Sequence, residues 1–224
     1  MAPLEPTQPD CVWRNVAGAG KAECKIWQFP TRVSRCTDAT NVTGFTWALT
    51  QTWQPPEGQV YKLNFDAAIF ANLLASVVGV IIRNDRGQVM AALSLKGGVV
   101  QDSDEAEVVA CWKALEFAID AGFSDLIVEG DNATVMKSIA SGQTDLSRLG
   151  NIYDDIHCLA RGLRYMEFNS ICRSANGVAH SLARYAKHLD EDIVWLEDSP
   201  PPALEALLAV SRLRLNEELE FTEL

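Results

Sequence analysis

Three carboxylates in the middle of this chain could do chemistry together. Asp66 ends the alternating run Tyr61 to Phe65, and Glu107 lies in the first turns of a helix-like stretch. Asp131 follows the apolar run Leu126-Ile127-Val128, just past its end. Clustered carboxylates repel and raise one another's pKa unless a cation neutralises them. Hard oxygen ligands suit Mg²⁺ or Mn²⁺, which keep several waters and bind phosphates. Two such ions about 4 Å apart can activate a water and stabilise the leaving oxygen in phosphodiester cleavage. That chemistry needs no Ser or Cys nucleophile, and no persuasive triad is present. Taken singly, each acid also has an ordinary structural role. Asp66 could be a turn residue, Glu107 could serve the helix dipole, and Asp131 could be an N-cap.

The elements that must position these acids are readable in order. Val60 to Asp66 alternates, with Tyr61, Leu63 and Phe65 on one face and Lys62, Asn64 and Asp66 on the other, which predicts a strand. Val77 to Arg83 and Val89 to Leu95 are β-rich and joined by Asn84-Asp85-Arg86-Gly87, a hairpin signal. A helix is predicted from about Ser103 to Ala121, capped by Ser103 or Asp104 and closed by Gly122. Ala106, Ala110, Ala114 and Ala118 give it a small-residue stripe that can lie close to a sheet. Leu126 to Glu129 reads as a strand, Asp131 to Ala140 and Leu146 to Leu163 as helices, Tyr165 to Cys172 as a strand, and Ala175 to Leu189 as a helix. The order β-β-β-α-β-α-α-β-α predicts an α/β fold with a mixed five-stranded sheet and helices on its faces.

Residues 1–59 read as an irregular leader and linker, 60–189 as the folded domain, and 190–224 as an acidic, partly helical tail. Cys11, Cys24 and Cys36 in the leader lack the close pair typical of a zinc site. No apolar run reaches membrane-spanning length, and no secretory h-region opens the chain. Reduced thiols and an intracellular location, nucleus or cytoplasm, are therefore expected. The net charge is −11 over 224 residues. Residues 190–224 hold ten acidic and two basic residues, whereas 1–60 balances five against five. With no strongly basic face, unaided affinity for a polyanion should be modest.

Five stretches in this order resemble the type 1 ribonuclease H domain, and more closely the plant branch derived from non-LTR retroelement polyproteins. They are Trp53-Gln54-Pro55-Pro56 with Gly58 before Lys62-Leu63-Asn64-Phe65-Asp66; Gly79-Val80-Ile81-Ile82-Arg83-Asn84 with Gly87; Asp104-Glu105-Ala106-Glu107 with Ala110, Ala114-Leu115 and Ala118; Gly122-Phe123 and Val128-Glu129-Gly130-Asp131; and Arg173-Ser174-Ala175-Asn176-Gly177-Val178-Ala179-His180 running on to Ala183. The resemblance covers about residues 53–187. It implies a ribonuclease H-like fold, with Asp66, Glu107 and Asp131 as catalytic metal ligands and Mg²⁺ or Mn²⁺, two ions, as cofactor. It implies endonucleolytic cutting of the RNA strand of an RNA–DNA hybrid, leaving a 5′-phosphate and a 3′-hydroxyl. RNA–DNA hybrid or RNA would be the partner, with no membrane. Asn64, Asn132, Arg173 and Asn176 would be the substrate contacts.

The sequence departs from the family's pattern in three ways. His180 stands four residues after Asn176, where a fourth acid is expected. A neutral imidazole can ligate a metal but adds no negative charge. The histidine-bearing loop before the last helix is missing. So is a basic handle, because Ala140 to Leu163 holds only Arg148 and Arg161. Besides a nuclease that uses His180 as a fourth catalytic residue, two alternatives stand: a weak or inactive binding module of retroelement origin, and a 3′–5′ exonuclease on the same fold.

Overall fold

A computed structural model describes residues 52–70, 75–142 and 148–211. The leader cysteines Cys11, Cys24 and Cys36, the start of the expected Leu146 to Leu163 helix and the end of the tail lie outside the described residues. Six strands are formed: β1 (Tyr61–Phe70), β2 (Ala75–Arg83), β3 (Val89–Lys96), β4 (Asp125–Gly130), β5 (Tyr165–Ser170) and β6 (Ile193–Leu196). Among the described residues, α1 (Ser103–Asp120), α2 (Ala133–Ser141), α3 (Gly150–Arg161) and α4 (Gly177–Ala186) accompany them, and residues 204–211 of the expected tail are helical as well. The strand order is β5-β4-β1-β2-β3-β6. The β1–β4 and β4–β5 pairs are parallel, as helical crossovers require, and the other pairs are antiparallel. Among the described residues, no helix is long and apolar enough to cross a membrane.

The mixed sheet is the expected one with one strand more. β6 comes from the segment expected to be a tail, and pairs antiparallel with β3. Its residue Trp195 packs with Val178 and Leu182 of α4, while Val194 and Leu196 stay exposed on the other side. Four alternating residues are too few to register as a period in a sequence. The stretch expected to be a linker is also engaged. Trp53 is 2% exposed, and the Arg83 guanidinium lies 3.4 Å from its ring centroid, a cation–π contact. Of the described cysteines, Cys111 and Cys158 are free, while Cys172 is disulfide-bonded.

The two faces of the sheet bury different things. On one, Leu63, Phe65, Val78, Val80 and Ile82 pack against α1, α2 and α3. The alanine stripe Ala106, Ala110, Ala114 and Ala118 is buried there, so α1 can approach the strands closely. The cap of α1 is Asp102, one residue earlier than expected; its side chain accepts from Glu105 N at 2.8 Å, and Glu105 accepts from Gln101 N at 2.6 Å. The hairpin turns as predicted, with Asn84 Oδ1 accepting from Arg86 N and Gln88 N, and Gly87 at φ 77°.

On the other face, α4 crosses β1, β2 and β3. The contact is closest at Gly79, where an added Cβ would collide with the backbone of Ala179 and Ala183. Ser94 of β3 donates to Leu182 O at 2.9 Å across the same contact. The absence of a side chain at Gly79 therefore sets the height of α4 above the sheet. Gly79→Ala should cost about 3 kcal/mol, the upper part of the range for overpacking, because backbone rather than a flexible side chain must move. Gly98→Ala, where an added Cβ meets nothing within 4 Å, should be close to neutral. Urea denaturation of the two variants checks this.

Candidate metal centre

β1 presents Leu63 and Phe65 to the main core and so turns Asn64 and Asp66 to the opposite face. The parallel register sets Asn64 beside Glu129, two residues before Asp66 and Asp131 respectively. Asp131 thus emerges from β4 next to Asp66. Glu107 reaches the same corner from α1. One oxygen from each of Asp66, Glu107 and Asp131 lies within 4.8 Å of the others. Asp66 and Glu107 are buried, and Asp131 is half-buried.

The electrostatics are those of a buried carboxylate cluster whose repulsion is offset only in part by Arg173. Burial pushes the Glu107 carboxyl up to about 9, with help from Asp66 and Asp131. Asp66 is raised chiefly by burial, against the lowering effect of its hydrogen bond from His180. Asp131 is raised by burial as well, with Arg173 and His180 opposing. One oxygen of Glu107 interacts with the Ala67 backbone. Its Oε2 is buried and has no hydrogen-bond partner. An orphaned carboxylate oxygen among two further carboxylates fits a hard divalent cation, which would satisfy that oxygen and remove the repulsion.

The other expected site residues divide into two groups. His180 joins the cluster: its Nδ1 lies 2.7 Å from Asp66 Oδ2, so the imidazole N–H donates to the carboxylate. Asn176 is buried and donates to Phe65 O at 2.8 Å, which pins the start of α4 to β1. Arg173, on the 3₁₀ turn Arg173–Asn176, is exposed and close enough to act on all three acids. Asn132 caps α2 by accepting from Val135 N at 3.1 Å, and donates to Asp104 Oδ1 at 2.9 Å. Its amide ties α2 to the start of α1.

Asn64 lies apart from the site mouth. It is fully buried, donates to Glu129 Oε2 at 2.8 Å and accepts from Arg83 Nη2 at 2.8 Å. Lys62 Nζ completes the group 2.7 Å from Glu129 Oε1. Both ends of the Asn64 amide are spent on these partners, which leaves none for a substrate. Burial lowers the Arg83 guanidinium to about 9, against the opposing charge of Glu129. Lys62, Arg83 and Glu129 were not expected as site neighbours. The sequence signals for them were the shared polar face of Lys62, Asn64 and Asp66 and the place of all three within the motifs that carry the resemblance.

The raised acids make metal-free stability depend on pH. Glu107 holds its proton in the folded state up to about 9, whereas 4.5 is its ordinary value. This contribution is therefore best below 4.5 and is lost as pH rises toward 9. Thermal melting in EDTA should fall between about pH 5 and pH 8, and the rise produced by Mn²⁺ should grow over the same interval. Glu107→Gln should flatten both trends.

A family model described as reverse transcriptase-like matches residues 64–186. No curated protein matches. Among solved structures, RNase H1 from Halobacterium salinarum NRC-1 is similar at 25% identity and a TM-score of 0.52, covering 57% of this chain and 96% of that one. The N-terminal RNase H domain of a Mycobacterium tuberculosis protein shares the fold at 18% identity and a TM-score of 0.51, covering 58% and 94%. An RNase H1 isolated from compost, solved in complex with an RNA/DNA hybrid, shares it at 18% identity and a TM-score of 0.50, covering 56% and 94%. With more than half of its length matched, and with this sheet order and acid cluster, the chain belongs to the reverse transcriptase-like family and has the ribonuclease H-like fold.

Proposed function

We propose that this protein is a metal-dependent endonuclease that cuts the RNA strand of an RNA–DNA hybrid. The observation that carries this reading is the meeting of Asp66, Glu107 and Asp131 within 4.8 Å, with Glu107 Oε2 left unpaired. These three carboxylates would hold Mg²⁺ or Mn²⁺, two ions in the full site. When bound, such ions polarise the phosphate and lower the pKa of an attacking water. The water oxygen would form a bond to phosphorus and release a proton to solvent while the P–O3′ bond breaks and O3′ takes up a proton from solvent, leaving a 5′-phosphate and a 3′-hydroxyl.

The chain's own residues have distinct parts in this reading. Asn176 keeps the start of α4 on β1, and His180 holds the Asp66 carboxylate through its Nδ1. Arg173 is the exposed cation at the site mouth and would contact a phosphate of the cut strand. Asn132 would lie beside that strand while capping α2. The folded unit in this proposal runs from Trp53 past β6, with the preceding residues as a leader. The burial of Trp53 and the β3–β6 pairing support these limits.

A second reading, a binding module with little or no turnover, is favoured by two observations. His180 adds no negative charge to the cluster. Arg148, which could have served as a basic handle, is bound by Asp102 and Glu105. Incubating an end-labelled hybrid with the purified chain and Mn²⁺ or Mg²⁺ separates the readings. Internal cuts in the RNA strand are expected, with loss of all cutting in Asp66→Asn. Cutting that survives Asp66→Asn would sink the assignment, a ladder shortened from one end would mark an exonuclease, and salt-sensitive binding without cutting would establish the module.

A further inference from the structure

α4 has two exposed flanks that face different parts of the sheet. Its buried stripe is Val178, Ala179, Leu182, Ala183 and Ala186. On one side of that stripe, Tyr185 stacks near Trp195 of β6, with ring centroids 6.3 Å apart. On the other, His180 meets Asp66, and Lys187 Nζ lies 4.6 Å from the ring centroid of Phe70. Both contacts are to β1. Arg184 sits one turn beyond His180, is exposed, and has no ion pair among the described residues. The β1-facing flank therefore reads His180, Arg184, Lys187 along the strand that carries Asp66.

We propose that Arg184 and Lys187 form a phosphate-binding track that continues from the acid cluster along α4. The proposal rests on the nuclease reading of that cluster and adds the direction in which a bound strand leaves it. The geometry suits a polyanion. His180 to Lys187 spans about 10 Å of helix at 1.5 Å per residue. At about 3.4 Å of axis per nucleotide, that length accompanies about three phosphates of one strand. The Phe70 ring holds the Lys187 ammonium in place by a cation–π contact. The Arg184 guanidinium is unspent and can grip a phosphate with two parallel hydrogen bonds. The track also meets a need. Arg148 is engaged by acids, so a strand leaving the cluster needs its cations elsewhere.

The test uses the full chain carrying Asp131→Asn, so that binding can be read without turnover, and a short blunt RNA–DNA hybrid as probe. Affinity is measured by fluorescence anisotropy across a salt series. Arg184→Gln with Lys187→Gln should weaken binding about tenfold at low salt and reduce the slope of log K against log salt by nearly 2, about one per lost phosphate contact. Arg86→Gln with Arg161→Gln removes the same charge from the opposite end of the sheet and should leave the slope unchanged. In the chain with Asp131 intact, the Arg184 and Lys187 changes should raise KM and leave kcat at saturation unaltered. An unchanged slope in the Arg184 and Lys187 variant overturns the track, and so does an equal loss in the control pair. Hybrid that is bound with the predicted slope change but never cut keeps the track and removes the nuclease reading. A chain that binds no hybrid removes both.

Discussion

Three carboxylates crowded into a largely buried corner repel one another, and the structure around them is arranged to hold that repulsion. No single element could do so. Asp66 comes from a strand, Glu107 from a helix on one face of the sheet, and Asp131 from the end of a neighbouring strand. A loop-borne acid would swing away from its neighbours. These are fixed by β1–β4 pairing and by the α1 stripe of alanines. The unpaired Glu107 oxygen is what remains when the fold brings acids together and Arg173 offsets their charge only in part. A cation removes the conflict at its source.

Behind the cluster lies a second charged group, and this one is largely paired, with Arg83 Nε the buried atom left without a hydrogen-bond partner. Lys62, Asn64, Arg83 and Glu129 join β1, β2 and β4 through buried contacts of 2.7–2.8 Å. Trp53 closes it from above by covering the Arg83 guanidinium. The group sits two residues upstream of Asp66 on one strand and of Asp131 on the next. Breaking a buried charge pair by removing one partner is costly, because the other is left uncompensated. The network therefore braces the two strands at the point where their acids must hold a fixed separation. Paired charges stiffen this sheet face, and the Glu107 carboxylate on the neighbouring helix keeps one oxygen unpaired.

Charge also sorts the surface. The chain is acidic overall, and much of the excess lies in residues 190–224. Several exposed cations are neutralised in place: Arg148 by Asp102 and Glu105, Arg164 by Asp125, and Lys113 by Glu116. Among the described residues Arg173 and Arg184 form no ion pair, and they flank His180 on the same stretch of chain. A nucleic acid approaching this protein would meet a local positive strip, not a basic face. Binding of a polyanion through so few cations would be strongly salt-dependent.

Much of the fold was legible in the sequence, because side-chain period and caps are local. Alternation along Val60 to Asp66 put Asp66 on the face away from Phe65, and the alanine stripe marked the helix that carries Glu107. These local patterns, with the crossovers they imply, determined the mixed sheet and the three acids that could share a site. Other features depended on pairings between distant segments. The resemblance made Asn64 an expected substrate contact. Only the β1–β4 register and the depth of Arg83 showed that its amide is consumed internally. β6 was invisible because four residues carry too little periodicity, and its identity as a strand comes from the edge of β3. His180 could be numbered as the stand-in for an acid, but its contact with Asp66 spans 114 positions. That contact exists because Gly79 lets α4 settle onto the sheet. Hydrophobic period is encoded locally, so the chain alone determined its elements and its candidate acids. Hydrogen-bond partners are decided by register and close approach, so only the tertiary structure could say which polar groups are spent and which remain available.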